Sequence, residues 1–206
     1  MSRKRALLIV ILSAAAAYLF LSYVAPAFLK KPALQAAHEN QRKLAQKPAP
    51  KEVNYGLPVR LKIPKINVDA NIAFLGLTPA GDMDIPTEVE DVGWYKYGTV
   101  PGNKGSAVVA GHLIGKKGEP GVFINLDTLQ KGDIFSVIDS NAQTITFTVR
   151  ETRSYGQTEK PKEVFNSSDG VHLNLITCTG DWIGTQSRYS NRLVVFADKI
   201  PINHSQ

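Results

Sequence analysis

The sequence predicts an all-β domain, an eight-stranded β-barrel with short helices, preceded by an N-terminal transmembrane helix and a linker. Three observations carry that prediction. Residues 6–29 hold no charged side chain, and a run of about 20 apolar residues matches the hydrocarbon core of a bilayer. Residues 30–56 are rich in Ala, Gln, Lys and Pro, a composition that cannot bury a core. After Gly56 the chain turns to short runs of Val, Ile, Leu, Phe and Thr, broken at short intervals by Gly and Pro, which is the pattern of many short strands.

The basic cluster Arg3-Lys4-Arg5 stands immediately before the apolar run. Positive flanks stay on the cytoplasmic side, so residues 1–29 are expected to form a single-pass anchor in the cell membrane, N-in and C-out, with the remainder extracytoplasmic. Ala25-Pro26-Ala27 resembles a small-residue cleavage site. The apolar run nevertheless exceeds the roughly 7–15 residues of a cleaved signal, and it is read as retained. In the linker, residues 33–46 suit a solvated helix and Lys47-Pro-Ala-Pro50 an extended spacer. Residues 57–206 form the folded domain. Strands are expected at 59–63, 68–74, 83–85, 106–111, 134–139, 143–153, 171–177 and 192–199, with helical turns at 122–129 and 162–165. Closing eight short strands on one another removes their exposed edges.

The chain has 206 residues and a net charge of +6, part of it in the N-terminal cluster, so the folded part is closer to neutral. No nucleic-acid footprint follows from that balance. There is no glycine-rich phosphate loop and no metal-ligand spacing, and neither a metal nor an organic cofactor is expected. The single cysteine, Cys178, excludes an internal disulfide.

Chemistry gathers at the ends of three expected strands. Val171-His-Leu-Asn-Leu-Ile-Thr-Cys178 drives an apolar strand into the thiol, Ser106-Ala-Val-Val-Ala-Gly-His112 ends in an imidazole, and Arg192-Leu-Val-Val-Phe-Ala197 begins with a guanidinium. Opening a peptide bond through a covalent intermediate needs a nucleophile, an acid for the departing amine and donors aimed at the oxyanion. A thiol titrates at roughly 8.5, and His112 as imidazolium would favour the thiolate of Cys178. Arg192 keeps its proton at working pH, which makes it a fixed donor. Arg188 is the rival guanidinium, in a segment read as a flexible loop. Thr177, Thr179 and Trp182 flank the thiol as candidate substrate-binding residues. His172, at the start of the cysteine strand, is read as a solvated or core-lining side chain, and His38 and His204 fall in the linker and the tail.

These residues resemble the sortases, membrane-anchored cysteine transpeptidases of Gram-positive bacteria. Ala-Gly-His112, Leu175-Ile-Thr-Cys178 and Arg192 carry the likeness in the family's order. Leu61-Lys-Ile-Pro64, Val92-Gly-Trp-Tyr95 and Pro101-Gly102 support it, and it covers about residues 57–200. Thr-Gly after the cysteine is most similar to class F or class D/E-like branches. The resemblance implies a sortase-type barrel with catalytic His112, Cys178 and Arg192. It implies cleavage of an LPxTG-type sorting signal between Thr and Gly, a thioester on Cys178, and transfer to an amine of a cell-wall precursor (lipid-linked peptidoglycan) or a pilin lysine. Surface proteins bearing the signal would be the substrates. The residues leave open a peptidase hydrolysing the same signal, or a non-catalytic anchored cell-wall-binding domain. Two departures stand out. Asn174 replaces a hydroxyl that the family carries before the cysteine, and no aromatic lid segment of the pilin-polymerising kind precedes the barrel. Glu88, Glu90 and Asp91 lie where class-A-like members bind calcium, and no metal site is assigned to them.

Overall fold

In the computed structural model, which describes Tyr18 and residues 53–186 and 188–201, alternation along short strands sorts side chains between a sealed interior and an outer layer. The strands are β1 (Pro58–Ile63), β2 (Val68–Leu75), β3 (Val92–Tyr95), β4 (Gly105–Gly111), β5 (Ile134–Asp139), β6 (Thr144–Gly156), β7 (Val171–Ile183) and β8 (Arg188–Lys199). A short helix, α1 (Lys162–Asn166), lies between β6 and β7. They close into a barrel in the order β1-β2-β3-β4-β7-β8-β6-β5, with β5 paired back on β1. Neighbours run antiparallel except for β2 with β3 and β4 with β7.

The hairpin of β5 and β6 shows why these residues make strands. Phe135, Val137, Ile145, Phe147 and Val149 point inward at every second position and are at most 2% exposed. The rings of Phe135 and Phe147 stack with centroids 5.7 Å apart. Sealing each such side chain from water is worth about 1.5–3 kcal/mol. Asp139 is buried beside them, and its carboxylate accepts hydrogen bonds from the backbone N–H groups of Gly56, Asn141 and Gln143. Three donors offset its desolvation.

Alternation fails in β4, which is buried at all positions but Ala110. The reason is a cover on the outside of the barrel. Ala107 and Val109 belong to the interior core, whereas Val108 joins Val164, Val194 and Phe196 in a second cluster, flanked by Met83, Tyr95, Tyr155, Phe165 and Ile176. Asn174 supports that cover by donating its Nδ2–H to the Val164 carbonyl at 2.6 Å. The amide that departs from the family's hydroxyl is therefore a tie to α1.

The count of eight strands holds, but two expectations about them are corrected. Residues 83–85 are not a strand, and Met83 makes only an isolated bridge to Leu77; Pro86 follows directly and supplies no N–H with which to extend a ladder. The missing strand is β3, whose Val92, Gly93 and Trp94 are consecutively buried and so show no alternation. The second correction concerns residues 178–191. Instead of the flexible loop expected around Arg188, β7 and β8 run on as a solvated hairpin, paired at Trp182 with Tyr189 and Ile183 with Arg188. A register shift between Thr179 and Trp182 and the positive φ of Gly180 (83°) turn it away from the barrel. The expected turn at 122–129 is a 3₁₀ helix over Leu126–Thr128.

The chain divides into units Met1–Val53 and Asn54–Gln206. The anchor and linker expected over 1–29 and 30–56 lie outside the described residues apart from Tyr18, which is helical and exposed, and 53–56. No described helix is long and apolar enough to cross a membrane.

Candidate active site

Register, more than proximity in sequence, builds the site. Cys178 on β7 pairs directly with Arg192 on β8. On the other side of β7, β4 runs parallel with Ala110 opposite Ile176, and His112 follows directly on Gly111, the last residue of β4. Thr177 holds this end of the β4–β7 pair closed, its buried Oγ1–H donating to the Gly111 carbonyl at 2.9 Å. Ile176 and Val194 belong to the outer cluster, so by strand alternation Cys178 and Arg192 lie on the outer face too. The three candidate catalytic residues thus come from β7, from β8 and from the residue that follows β4, and Ile176 of the outer apolar cluster lies two residues before the thiol.

Cys178 is a free, half-buried thiol. Burial pushes its pKa up, and the positive charge of Arg192 partly opposes that rise. Arg192 directs Nη1–H to the carbonyls of Asn191 (3.0 Å) and Tyr189 (3.3 Å), so its own strand aims a planar group with five N–H donors. The backbone of Arg188 opens β8 opposite Ile183, four residues further out on the hairpin.

His112 is held from three directions. Its carbonyl accepts the Phe123 N–H at 2.9 Å. Its ring Nε2 donates to the Pro86 carbonyl at 2.8 Å. At Gly121 a Cβ would stand 2.2 Å from the His112 carbonyl oxygen, so only glycine lets that segment lie against it. Pro86 and Gly121 were not singled out by the sequence; the dense Gly-Glu-Pro-Gly121 turn nine residues after the histidine was a visible signal for Gly121, and Pro86 had none.

The tentative substrate-binding residues separate. Thr177 is buried and its hydroxyl is used internally. Thr179 is half-buried beside the thiol. Trp182 is 57% exposed on the hairpin, edge-on to Tyr189 with ring centroids 5.2 Å apart. His172 is remote, at the other end of β7. Among the described residues no group of three or more His, Cys, Asp or Glu side chains is arranged to hold a metal ion.

A family model, the sortase domain, matches residues 61–200. The chain belongs to the sortase family. Sortases are cysteine transpeptidases, and this one has the family's all-β eight-stranded barrel. Similar solved structures include sortase C-1 from Actinomyces oris, at 28% identity and a TM-score of 0.56 over 70% of this chain and 76% of that one. A sortase D5 transpeptidase from Clostridium perfringens gives 23% and 0.53 over 80% and 89%. A lid mutant of sortase A from Corynebacterium diphtheriae gives 20% and 0.56 over 76% and 77%. These likenesses select no branch of the family. No curated protein matches the chain.

Proposed function

We propose that this sortase cleaves an LPxTG-type sorting signal between Thr and Gly through a thioester on Cys178, and transfers the acyl fragment to an amine. The observation that supports the residue assignment is the register that pairs Cys178 with Arg192, together with the Thr177–Gly111 hydrogen bond that joins the residue before Cys178 to the residue before His112. Attack by the sulfur requires that the Cys178 proton leave. His112 takes the thiol proton as the C–S bond forms and gives it to the departing amine as the C–N bond breaks. The incoming amine then loses a proton to His112 as it expels the sulfur. Arg192 donates to the tetrahedral oxyanion, with a backbone N–H such as that of Thr179 beside it. The apolar strip of Ile176, Tyr95 and Phe165 suits the Leu-Pro part of the signal, and α1 with the rest of 157–170 forms its wall.

The acceptor amine belongs to a cell-wall precursor or a pilin lysine, and the substrates are surface proteins carrying the signal. The charge-free run behind Arg3-Lys4-Arg5 supports a membrane anchor that keeps the catalytic domain extracytoplasmic. Class F or D/E-like membership rests on Thr179-Gly180 after the thiol. Incubating the purified full-length chain in detergent with a labelled LPxTG peptide, with and without an oligoglycine amine, tests the reading. An acyl adduct on Cys178 by mass spectrometry and an amine-dependent product are expected. Hydrolysis unaffected by amine would make the enzyme a peptidase instead.

A further inference from the structure

We propose that the backbone carbonyl of Pro86 positions His112, fixing the proton on Nε2 so that Nδ1 alone exchanges protons during acyl transfer. The inference rests on the catalytic reading of His112 given above. Its starting point is the 2.8 Å contact between Nε2 and the Pro86 oxygen. A carbonyl oxygen only accepts, so the ring nitrogen facing it must carry hydrogen whether the imidazole is neutral or charged.

The acceptor is preset by its own sequence. Proline locks φ near −65° and holds the preceding residue extended, which limits the directions in which the carbonyl of a buried Pro86 can point. The segment that carries it is tied at both ends. Before it, Asp84 N–H donates to the Gly76 carbonyl at 3.1 Å, Leu77 bridges Met83, and Met83 packs on the outer cluster. After it, the Val89 carbonyl accepts the Val122 N–H at 3.0 Å. Val122 adjoins Phe123, whose N–H holds the His112 carbonyl. One loop therefore fixes the backbone of His112 and another fixes its ring, and the two are bonded to each other.

The proton inventory follows. In acylation, Nδ1 accepts the thiol proton as sulfur bonds to the scissile carbon, then gives it to the amine nitrogen as the C–N bond breaks. In the second half-reaction Nδ1 takes a proton from the incoming amine, and the C–S bond breaks to release sulfur, which recovers that proton. The Nε2 proton stays with Pro86 throughout. A fixed Nε2–H prevents the ring from turning its wrong nitrogen to the sulfur.

The test is nuclear magnetic resonance of the full-length chain with ¹⁵N-labelled histidine rings, without substrate. A protected low-field Nε2–H proton that vanishes in His112→Ala is expected, with the neutral ring in the Nε2–H form. Pro86→Gly, which releases φ but keeps a carbonyl, should lose that protection and lower kcat roughly 10-fold to 100-fold, with KM within about twofold. Pro86→Ala, a milder release, should fall between the two and carries the same test if the glycine variant does not fold. A neutral His112 with its proton on Nδ1 would overturn the proposal. So would folded Pro86 variants with unchanged kcat. Absence of turnover by the unaltered chain would count against the proposed function, and the ring proton would still decide the contact.

Discussion

Two histidines, His172 at the start of β7 and His112 just past the end of β4, are held in opposite ways. At the starting end of β7, His172 is 7% exposed, and both ring nitrogens are engaged: Nδ1 hydrogen-bonds with Asp198 at 2.7 Å and Nε2 with Asp169 at 2.9 Å. Arg150 reaches the same Asp198 oxygen at 2.6 Å. Asp169, beside Ser167 and His172, has its pKa lowered to about 2. At the other end, Cys178 is half-buried, Arg192 bonds only carbonyls of its own strand through one nitrogen, and His112 has one ring nitrogen tied to Pro86. Groups whose donors and acceptors meet one another hold the barrel together. Groups held by backbone keep capacity for a substrate. The nearby cavity of about 440 Å³, lined by His172, Asp198 and Lys199 among others, accordingly lies at the end without a free nucleophile.

The sharpest way to break this contrast is to remove the thiol. Cys178→Ala and His112→Ala should each lower turnover by about 10³-fold or more with the melting temperature unchanged; a marked loss of folding in either would make that end structural as well. Next in size, Arg192→Lys should reduce kcat by about 10²-fold to 10³-fold, because a point charge does not reproduce a planar fork. Full activity in that variant would move the oxyanion role to Arg188. The mirror experiment is His172→Leu, which should weaken the fold by about 1–3 kcal/mol in denaturant titration while kcat stays within about twofold. A loss of turnover without loss of stability there would erase the distinction between the ends.

The smallest effect concerns the thiol's titration. Because burial raises the pKa of Cys178, alkylation by iodoacetamide should be slow near neutrality and climb at pH above the usual thiol value of roughly 8.5. Arg192 favours the charged form, so Arg192→Gln should move the climb to still higher pH. Rapid alkylation of the unaltered chain at pH 7 would contradict the burial argument.

Much of this was legible in the linear chain, for definable reasons. The strands of β5 and β6 alternate because one of their faces meets water, and period two then marks the interior residues Phe135, Val137, Ile145 and Phe147 directly. Cys178, His112 and Arg192 stood out because each closes or opens an apolar run. Val92-Gly-Trp-Tyr95 hid as a strand because both of its faces are covered, which removes the period. The hairpin beyond Thr179 hid because it is solvated and carries polar residues like a loop.

By itself, then, the sequence determined the all-β class and most of the strands, singled out the candidate reacting groups and excluded an internal disulfide. Those depend on residue type and short-range pattern. Only the tertiary structure decided that β4 lies parallel to β7, that Cys178 pairs with Arg192 on the outer face, and that Pro86, 26 residues before His112, points its carbonyl at that ring. Such facts arise from barrel closure, where partners distant along the chain are chosen by register and burial, and no local pattern encodes which carbonyl will meet which nitrogen.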